Sequence, residues 1–297
     1  HIHYPTDSSL LWDSFRTLAR LLRLIHKELP QLDLQHRCHD WRVKKLATYI
    51  ARNASSHSPG TRRQVKRRYG ELIRSVRWIH GVGRQVQRQA LGVGYTVADL
   101  AHYLPLVKRI VHQAHQRVLQ GVSLPPDEKL YSLFEEHTEL IKRGKAGKPI
   151  ELGHKILIAQ TGEKFIHHYQ VMGRRMEDKD LLAPAVEAHK ALFGCYPDLL
   201  STDKGFYKSM KQIAGLEEKI ATVSMAKKGR RTPDEYVRET TEAFRDGQRV
   251  RAGSEGSISV LKRAFNLGKC FFKGFKNYAA SVGLAVLCHN LVLLTRL

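Results

Sequence analysis

The sequence is poor in cysteine, poor in acidic residues and free of long uninterrupted apolar runs. Its four cysteines lie far apart, at Cys38, Cys195, Cys270 and Cys288, and form no CxxC pair. This spacing argues against a zinc module or a disulfide scaffold, and it favours a reducing cytosol.

The most apolar stretch lies near the C-terminus, at residues 278–294, and it contains Ser281, His289 and Asn290. These polar side chains favour a buried terminal helix over a membrane span. No signal peptide is recognisable, and no block of Lys or Arg adjoins an apolar span, so a membrane partner is not expected. The first residue is His1 rather than Met, and we therefore expect this chain to be a piece of a longer product.

Charge of one sign dominates the chain. Its 297 residues include 50 Lys and Arg against 28 Asp and Glu, a net charge of +22, and residues 1–121 hold 21 of the basic and 7 of the acidic side chains. This excess predicts a polyanionic partner, because Lys and Arg that neutralise phosphates release counterions from nucleic acid. Hydrophobic residues make up 42% of the chain, which is enough to build a core and excludes wholesale disorder.

Residues 1–126 are predicted to form a basic, all-helical region that is either a DNA-binding domain or an insertion. Apolar side chains recur at helical spacing over about residues 11–29, 43–50, 62–91 and 97–119, before Pro125-Pro126 ends the pattern. The third helix carries nine basic residues and one acid between Arg62 and Arg88. Its residues Arg62, Arg63, Lys66 and Arg67 are predicted to contact the DNA backbone, because phosphate contacts position a protein without specifying sequence.

Residues 127–297 change to a mixed pattern of strands and helices. Runs rich in Ile, Val, Phe and Tyr at 150–158 and 164–172 predict a β-hairpin. The elements that follow are a helix at 178–193, a strand at 198–202, a short helix at 207–214, a strand at 220–225, and helices from Thr232 onward that are broken at Gly247 and Gly253. This order implies an α/β fold, a mixed sheet flanked by helices.

Asp203 is the first candidate for chemistry. It follows a predicted apolar strand and precedes Lys204-Gly205, where the glycine permits a sharp turn. Carboxylates at the C-terminal ends of strands in α/β sheets project into the crevice where ligands bind. The alternative is an ordinary aspartate in a turn.

Glu255 is the second candidate. If the surrounding residues are helical, it shares one face with Arg251, Ser259 and Lys262, beside an apolar stripe of Ile258, Leu261 and Phe265. A carboxylate flanked by cations beside such a stripe is what a site for metal and phosphate needs. The alternative is an exposed ladder of charges.

Two sequence blocks contain these carboxylates. They read Ser201-Thr-Asp203-Lys-Gly205-Phe206 and, about fifty residues later, Arg251-x-Gly253-x-Glu255-Gly256-x-Ile258-Ser259-x-Leu261-Lys262-Arg263. Both blocks resemble the second and third catalytic blocks of bacterial insertion-sequence DDE transposases, and the Arg-x₃-Glu-x₆-Lys spacing is similar to the signature around the family's glutamate. The tyrosine that often stands three residues before the arginine is Gln248 here. Residues 2–11 and 144–153 also resemble linking blocks of one such family, so the resemblance covers nearly the whole chain.

The resemblance implies a ribonuclease H-like fold for residues 127–297 and a transposase that cuts and joins DNA. In that family three carboxylates hold two Mg²⁺ ions, or Mn²⁺ in their place, which activate a water or a 3′-hydroxyl for in-line displacement at phosphorus. By the resemblance Asp203 and Glu255 are the second and third ligands, and Arg251, Lys262 and Arg263 contact DNA. The implied partners are terminal-repeat and target DNA. The resemblance also implies a cytoplasmic, nucleoid-associated protein, and it is compatible with a homodimer on DNA.

The first carboxylate of such a site belongs to the opening strand of the sheet. In relatives it precedes the block that begins here at His1, so we expect it upstream of this chain. Asp7 is the only acid nearby, and its place at a helix start suits capping better than metal binding. We therefore expect this chain to bind DNA without cutting it, and the neighbours of the missing strand to have unpaired edges.

A cationic, glycine-rich loop at 142–148 is a further candidate DNA contact. It lacks the spacing of a phosphate-binding P-loop, and we interpret Lys142, Lys145 and Lys148 as a clamp on the DNA backbone, with a solvated loop as the alternative. Two other functions fit the sequence less closely. One is a catalytically inactive DNA-binding remnant of a transposase, and the other is a basic RNA-binding protein.

Overall fold

A computed structural model describes residues 5–32, 38–90, 95–142, 150–173 and 176–296, with the backbone alone at 95 and 142. The chain divides into two compact units, a helical unit at residues 2–152 and an α/β unit at 153–297. Leu130 and Leu133 are buried in the core of the helical unit, so this unit extends past the predicted boundary at residue 126.

The helical unit has the four predicted helices, followed by a small sheet. The elements are α1 Asp7–Glu28, α2 Asp40–Asn53, α3 Pro59–Gln89, α4 Tyr95–Ala114, a π-helical turn at His115–Gln120, and the paired strands β1 Glu139–Lys142 and β2 Ile150–Gly153. The N-cap of α1 is Thr6, which exchanges hydrogen bonds with Ser9, so the predicted cap at Asp7 is wrong by one residue.

The core of the helical unit is built around α1, which packs against α2, α3 and α4. Its apolar side chains at positions i, i+4, i+7, i+11 and i+14 are all buried: Leu11, Phe15, Leu18, Leu22 and Ile25. Helix α3 buries its own apolar stripe, Leu72, Val76 and Ile79, in the same core, which leaves its basic side chains for the outside.

The described residues of the α/β unit form two strand pairs and five α-helices. Its elements are β3 Ile156–Gln160, β4 Ile166–Val171, α5 Asp178–Phe193, β5 Leu199–Thr202, a 3₁₀ turn at Lys204–Phe206, α6 Met210–Glu217, β6 Thr222–Met225, α7 Pro233–Thr240, α8 Glu242–Arg263 and α9 Phe275–Leu294. Strands β3 and β4 form the predicted antiparallel hairpin, with Ile156 opposite Val171, and β5 and β6 are parallel, with Leu199 opposite Thr222.

The predicted α/β class is confirmed, but in the described residues the strands form three two-stranded sheets rather than one mixed sheet. Residues 150–158, predicted as one strand, are two, because residues 150–153 pair with β1 and only Ile156 onward pairs with β4. Within the ranges that the structure describes, β3 pairs only with β4 and β5 pairs only with β6. Each therefore has one unpaired edge.

Helix α8 is continuous through Gly247 and Gly253, so the predicted breaks at these glycines are wrong. Gly247 allows a close approach, because a Cβ atom there would lie 2.4 Å from Cβ of Ser224 on β6 and 3.2 Å from Leu199 on β5. A Cβ atom at Gly253 would meet nothing within 4 Å. Gly247 is therefore needed for close packing of α8 against the strands, whereas Gly253 is not.

Helix α9 is, among the described residues, the one helix long and apolar enough to cross a membrane by length and composition alone. The predicted burial holds for one of its faces, which packs against β4 and α8 and buries Val282, Ala285, Val286 and His289. Asn290 binds both backbone groups of Ile166, accepting at 3.0 Å and donating at 2.9 Å. The opposite face exposes Leu284, Leu287, Leu291 and Leu294.

The substitution Gly247→Ala is expected to lower the free energy of unfolding by about 1–3 kcal/mol, the usual cost of overpacking a tight contact. The matched control is Gly253→Ala in the same helix, where alanine is expected to gain about 0.5–1 kcal/mol from helix propensity. Urea denaturation monitored by circular dichroism measures both. Equal effects of the two substitutions would contradict the packing role of Gly247.

Candidate nucleic-acid interface and carboxylate site

Asp203 lies directly after β5, at the carboxyl end of the parallel pair. Its Oδ1 accepts a hydrogen bond from the backbone N–H of Lys204 at 2.7 Å, which caps the 3₁₀ turn, and its side chain is exposed. Gly205 lies against Asp178, since a Cβ atom at 205 would be 2.5 Å from Oδ2 of that residue. Asp203 caps a turn, as in the alternative of an ordinary turn aspartate, and it also lies at the end of a strand. Its role in chemistry stays a prediction.

Glu255 lies on α8, the helix that packs across β5 and β6. Its side chain is 72% exposed, and Oε1 accepts from the Arg251 guanidinium at 3.4 Å, as the four-residue spacing predicts. The predicted apolar stripe is correct at Leu261, which is fully buried, and wrong at Ile258, which is exposed. Ser257 occupies the buried position instead. The carboxylate therefore points to solvent beside a cation.

Gln248, three residues before Arg251, holds α8 on β6. Its Nε2 donates to the carbonyl of Ser224 at 2.8 Å and to the hydroxyl of Ser224 at 3.0 Å, while its Oε1 accepts from Nε of Arg251 at 3.2 Å. A hydrogen-bonded chain thus runs from β6 through Gln248 and Arg251 to Glu255. Sequence reasoning missed this role, because the partner on β6 is distant in sequence.

A second network, also missed, joins the turn after Asp203 to α7. The carboxylate of Glu235 is buried and accepts from the Tyr207 hydroxyl, from Lys227 Nζ at 2.8 Å and from the backbone N–H of Thr232 at 2.7 Å. The sequence signal was Thr232-x-x-Glu235, a capping box.

These contacts shift the pKa values of both acidic groups in the network. Lys227, Thr232 and Tyr207 stabilise the carboxylate and lower the pKa of Glu235 to about 2. Burial and the adjacent carboxylate raise the pKa of Tyr207 to about 12. Glu235 is therefore charged and Tyr207 neutral across the physiological range.

The predicted DNA-contacting side chains of α3 are exposed along the first half of the helix. Arg62 donates to the carbonyl of Ser56 at 3.1 Å, and Arg67 lies 3.5 Å from Glu71. Arg63 and Lys66 form no ion pair within the described part of the chain. This surface can accept an anionic partner without breaking a buried interaction.

The remaining predicted basic contacts fall in two places. Lys262 and Arg263 form the last turn of α8 and are exposed. The backbone of Lys142 ends β1, whereas Lys145 and Lys148 lie outside the described residues. The proposed clamp of that loop stays a prediction.

Asp7 is held inside the helical unit. Its carboxylate is buried, with Gln113 Nε2 at 3.4 Å and Arg117 Nε at 3.4 Å from its oxygens. It is therefore already engaged in a structural interaction.

Within the described ranges, no three His, Cys, Asp or Glu side chains lie together as a group that could hold a metal ion. Joint binding of Mg²⁺ by Asp203 and Glu255 stays a prediction. Comparisons with family models, with curated proteins and with solved structures each find no match for this chain.

The substitution Glu235→Gln is expected to reduce stability at neutral pH and to flatten its pH dependence between about 4.5 and 2. The folded-state pKa of Glu235 is depressed, so its stabilisation is present above the unfolded pKa and is lost as pH falls through that window. Urea midpoints at several pH values measure this. The control is Glu217→Gln, on the exposed surface of α6, and an equally flattened profile in that variant would contradict the assignment.

Proposed function

We propose that this protein is an insertion-sequence DDE transposase, whose α/β unit is ribonuclease H-like and whose helical unit binds DNA. The observation that carries the proposal is the attachment of α8 to the β5–β6 pair. Gly247 and Gln248 hold that helix against Ser224, so the helix bearing Glu255 packs directly on the strand pair that Asp203 follows. A shared site needs its ligands to be held in this way.

The unpaired strand edges also support the proposal. The resemblance places the first carboxylate on a strand at the centre of the sheet, next to both strand pairs. Among the described residues, β3 and β5 each have a free edge. A strand between them would join two pairs into one mixed sheet, and its aspartate would complete the carboxylate set.

The donor set suits the metal that the family uses. Asp203 and Glu255 offer carboxylate oxygens, which are the ligands that Mg²⁺ prefers, and both side chains are exposed and accessible. Two bound Mg²⁺ ions would supply activation of the attacking oxygen and charge stabilisation at phosphorus. Arg251 pairs with Glu255 at 3.4 Å and would orient its carboxylate, and Lys262 and Arg263 would bind the phosphates that flank the scissile bond.

The proposal predicts that Asp203 and Glu255 are needed for strand cleavage and not for DNA binding. In a version extended by its upstream coding sequence, Asp203→Asn or Glu255→Gln is expected to slow Mg²⁺-dependent cleavage of terminal-repeat DNA by at least about 100-fold, the scale for loss of one group that stabilises the transition state. The control is Glu242→Gln, an exposed acid at the start of α8.

The unextended chain is expected to bind the same DNA without cutting it. Failure of the extended version to cut would favour an inactive DNA-binding remnant. Equal cleavage by both forms would instead place the third carboxylate within this chain.

The proposal also predicts that α3 provides sequence-independent DNA affinity. Replacing Arg62, Arg63, Lys66 and Arg67 by alanine is expected to reduce the slope of log affinity against log salt by about 0.9 for each lost phosphate contact. The affinity for duplex DNA is measured by fluorescence anisotropy at several salt concentrations between about 50 and 300 mM, which gives the slope directly.

A charge-matched control replaces four exposed lysines of the α/β unit, namely Lys208, Lys211, Lys269 and Lys273. An equal change of slope in both variants would contradict a dedicated surface on α3. Tighter binding to single-stranded RNA than to duplex DNA would favour the RNA-binding alternative.

A further inference from the structure

The helical unit contains a pocket of about 300 Å³ on the second half of α3 and the facing part of α4. Three of its lining residues come from α3 and three from α4: Arg77, His80, Arg84, Lys108, Val111 and His112. Val111 is buried, while Arg77, Arg84, Lys108 and His112 are exposed around it. The pocket thus has an apolar floor and a cationic rim.

The described part of the chain leaves the positive charge of this pocket unneutralised. Among these residues no acidic side chain lines the pocket, and no carboxylate forms an ion pair with Arg77, Arg84 or Lys108. Like charges held close together repel one another, so an arrangement of this kind is stabilised by a bound anion.

His80 is fixed at the centre of this group. Its Nε2–H donates to the carbonyl of Leu104 on α4 at 3.2 Å. Burial lowers the pKa of His80; the hydrogen bond to Leu104 opposes this effect, and Arg84 and Lys108 lower the pKa further, so the imidazole is mainly neutral at pH 7. A bound anion would offset the effect of the two cations.

We propose that this pocket binds a phosphate group, supplied either by a nucleic-acid backbone or by a free phosphate compound. The arginine forks can bind two phosphate oxygens at once, and Lys108 adds a point charge. No Phe, Tyr or Trp lines the pocket to stack on a base, so the phosphate itself is recognised.

The pocket is separate from the DNA-contacting residues proposed on the first half of α3. Arg77 follows Arg67 by ten positions, which is about 15 Å along an α-helix. The inference holds whether or not the α/β unit cuts DNA, because it rests only on the charge and shape of the helical unit.

Titration of the full chain with inorganic pyrophosphate tests the site, with the ring signals of His80 followed by NMR and affinity measured by calorimetry. The double variant Arg84→Ala/Lys108→Ala is expected to bind pyrophosphate at least about 10-fold more weakly, which is the loss of roughly one charge-assisted contact. The variant Arg84→Lys/Lys108→Arg, which keeps both charges, is expected to retain most of the affinity.

The charge-matched control is Arg42→Ala/Lys44→Ala, two exposed cations of α2 in the same unit. Pyrophosphate affinity within about twofold of wild type in this control supports a discrete site, and equal losses in both double variants would overturn it. Absence of pyrophosphate binding by the wild-type chain at millimolar concentration would overturn it as well.

Competition by a 16-base-pair duplex distinguishes the two phosphate sources. If the duplex displaces pyrophosphate from His80, the natural ligand is a nucleic-acid backbone, and if it does not, the ligand is a free phosphate compound. Both results uphold a phosphate site, and neither depends on cleavage.

The pH dependence gives a second readout, with sulfate as a probe that stays doubly charged from pH 5 to 8. Sulfate is expected to raise the pKa of His80 toward or above 6.5, so affinity increases as pH falls through that value. The groups that face His80 are Arg77 and Arg84 on α3 and Lys108 and His112 on α4. A His80→Gln variant that keeps the full pH effect would assign the effect to His112 and contradict the role of His80.

Discussion

The contact between Gly247 of α8 and Ser224 of β6 is the constraint on which the α/β unit depends. With no side chain between them, the helix comes close enough for the Ser224 hydroxyl to donate to the carbonyl of Phe244 at 2.7 Å. Gln248 then binds the same serine. Glu255 lies two turns farther along the same helix, so the packing of the helix at these residues also sets the position of Glu255. The position of the carboxylate is thus set by packing and hydrogen bonds at a distance from it.

The scarcity of acidic residues shapes the electrostatics of both units. Glu235 is buried against Lys227 at 2.8 Å, and Glu239 is nearly as buried against Arg231 at 2.6 Å. Asp7 is used in the same way within the helical unit. Within the described residues, the cations of α3 other than Arg67 and Arg68, which pair with Glu71, and the cations of the pocket beside α4 form no ion pair. The positive charge of the chain follows from its 50 Lys and Arg against 28 Asp and Glu.

Local sequence signals were sufficient for several helices. The predicted helix at 178–193 matches α5 at both ends, because acidic residues begin it and Gly194 ends it in a left-handed conformation. The hairpin of β3 and β4 was also predictable, but the pairing of residues 150–153 with β1 was not, since nothing local identifies that partner.

The candidate site shows the same division between local and distant determinants. The spacing of Arg251 and Glu255 predicted their ion pair. Gly247, however, was predicted to break a helix because glycine has a low helix propensity, and the strand contact that requires glycine is a tertiary feature. Likewise Ser257 rather than Ile258 is buried on α8, because the angle at which the helix meets its neighbours decides which stripe is covered.

The proposed chemistry and the free strand edges lead to one structural requirement. All the residues of β3 and of β5 are only partly buried, whereas three of the four residues of β6 are buried. A strand added between β3 and β5 would pair both edges and cover these side chains. In the proposed site that same strand carries the third carboxylate. Completion of the sheet and completion of the metal site would then be one event, so folding stability and catalytic competence would depend on the same segment.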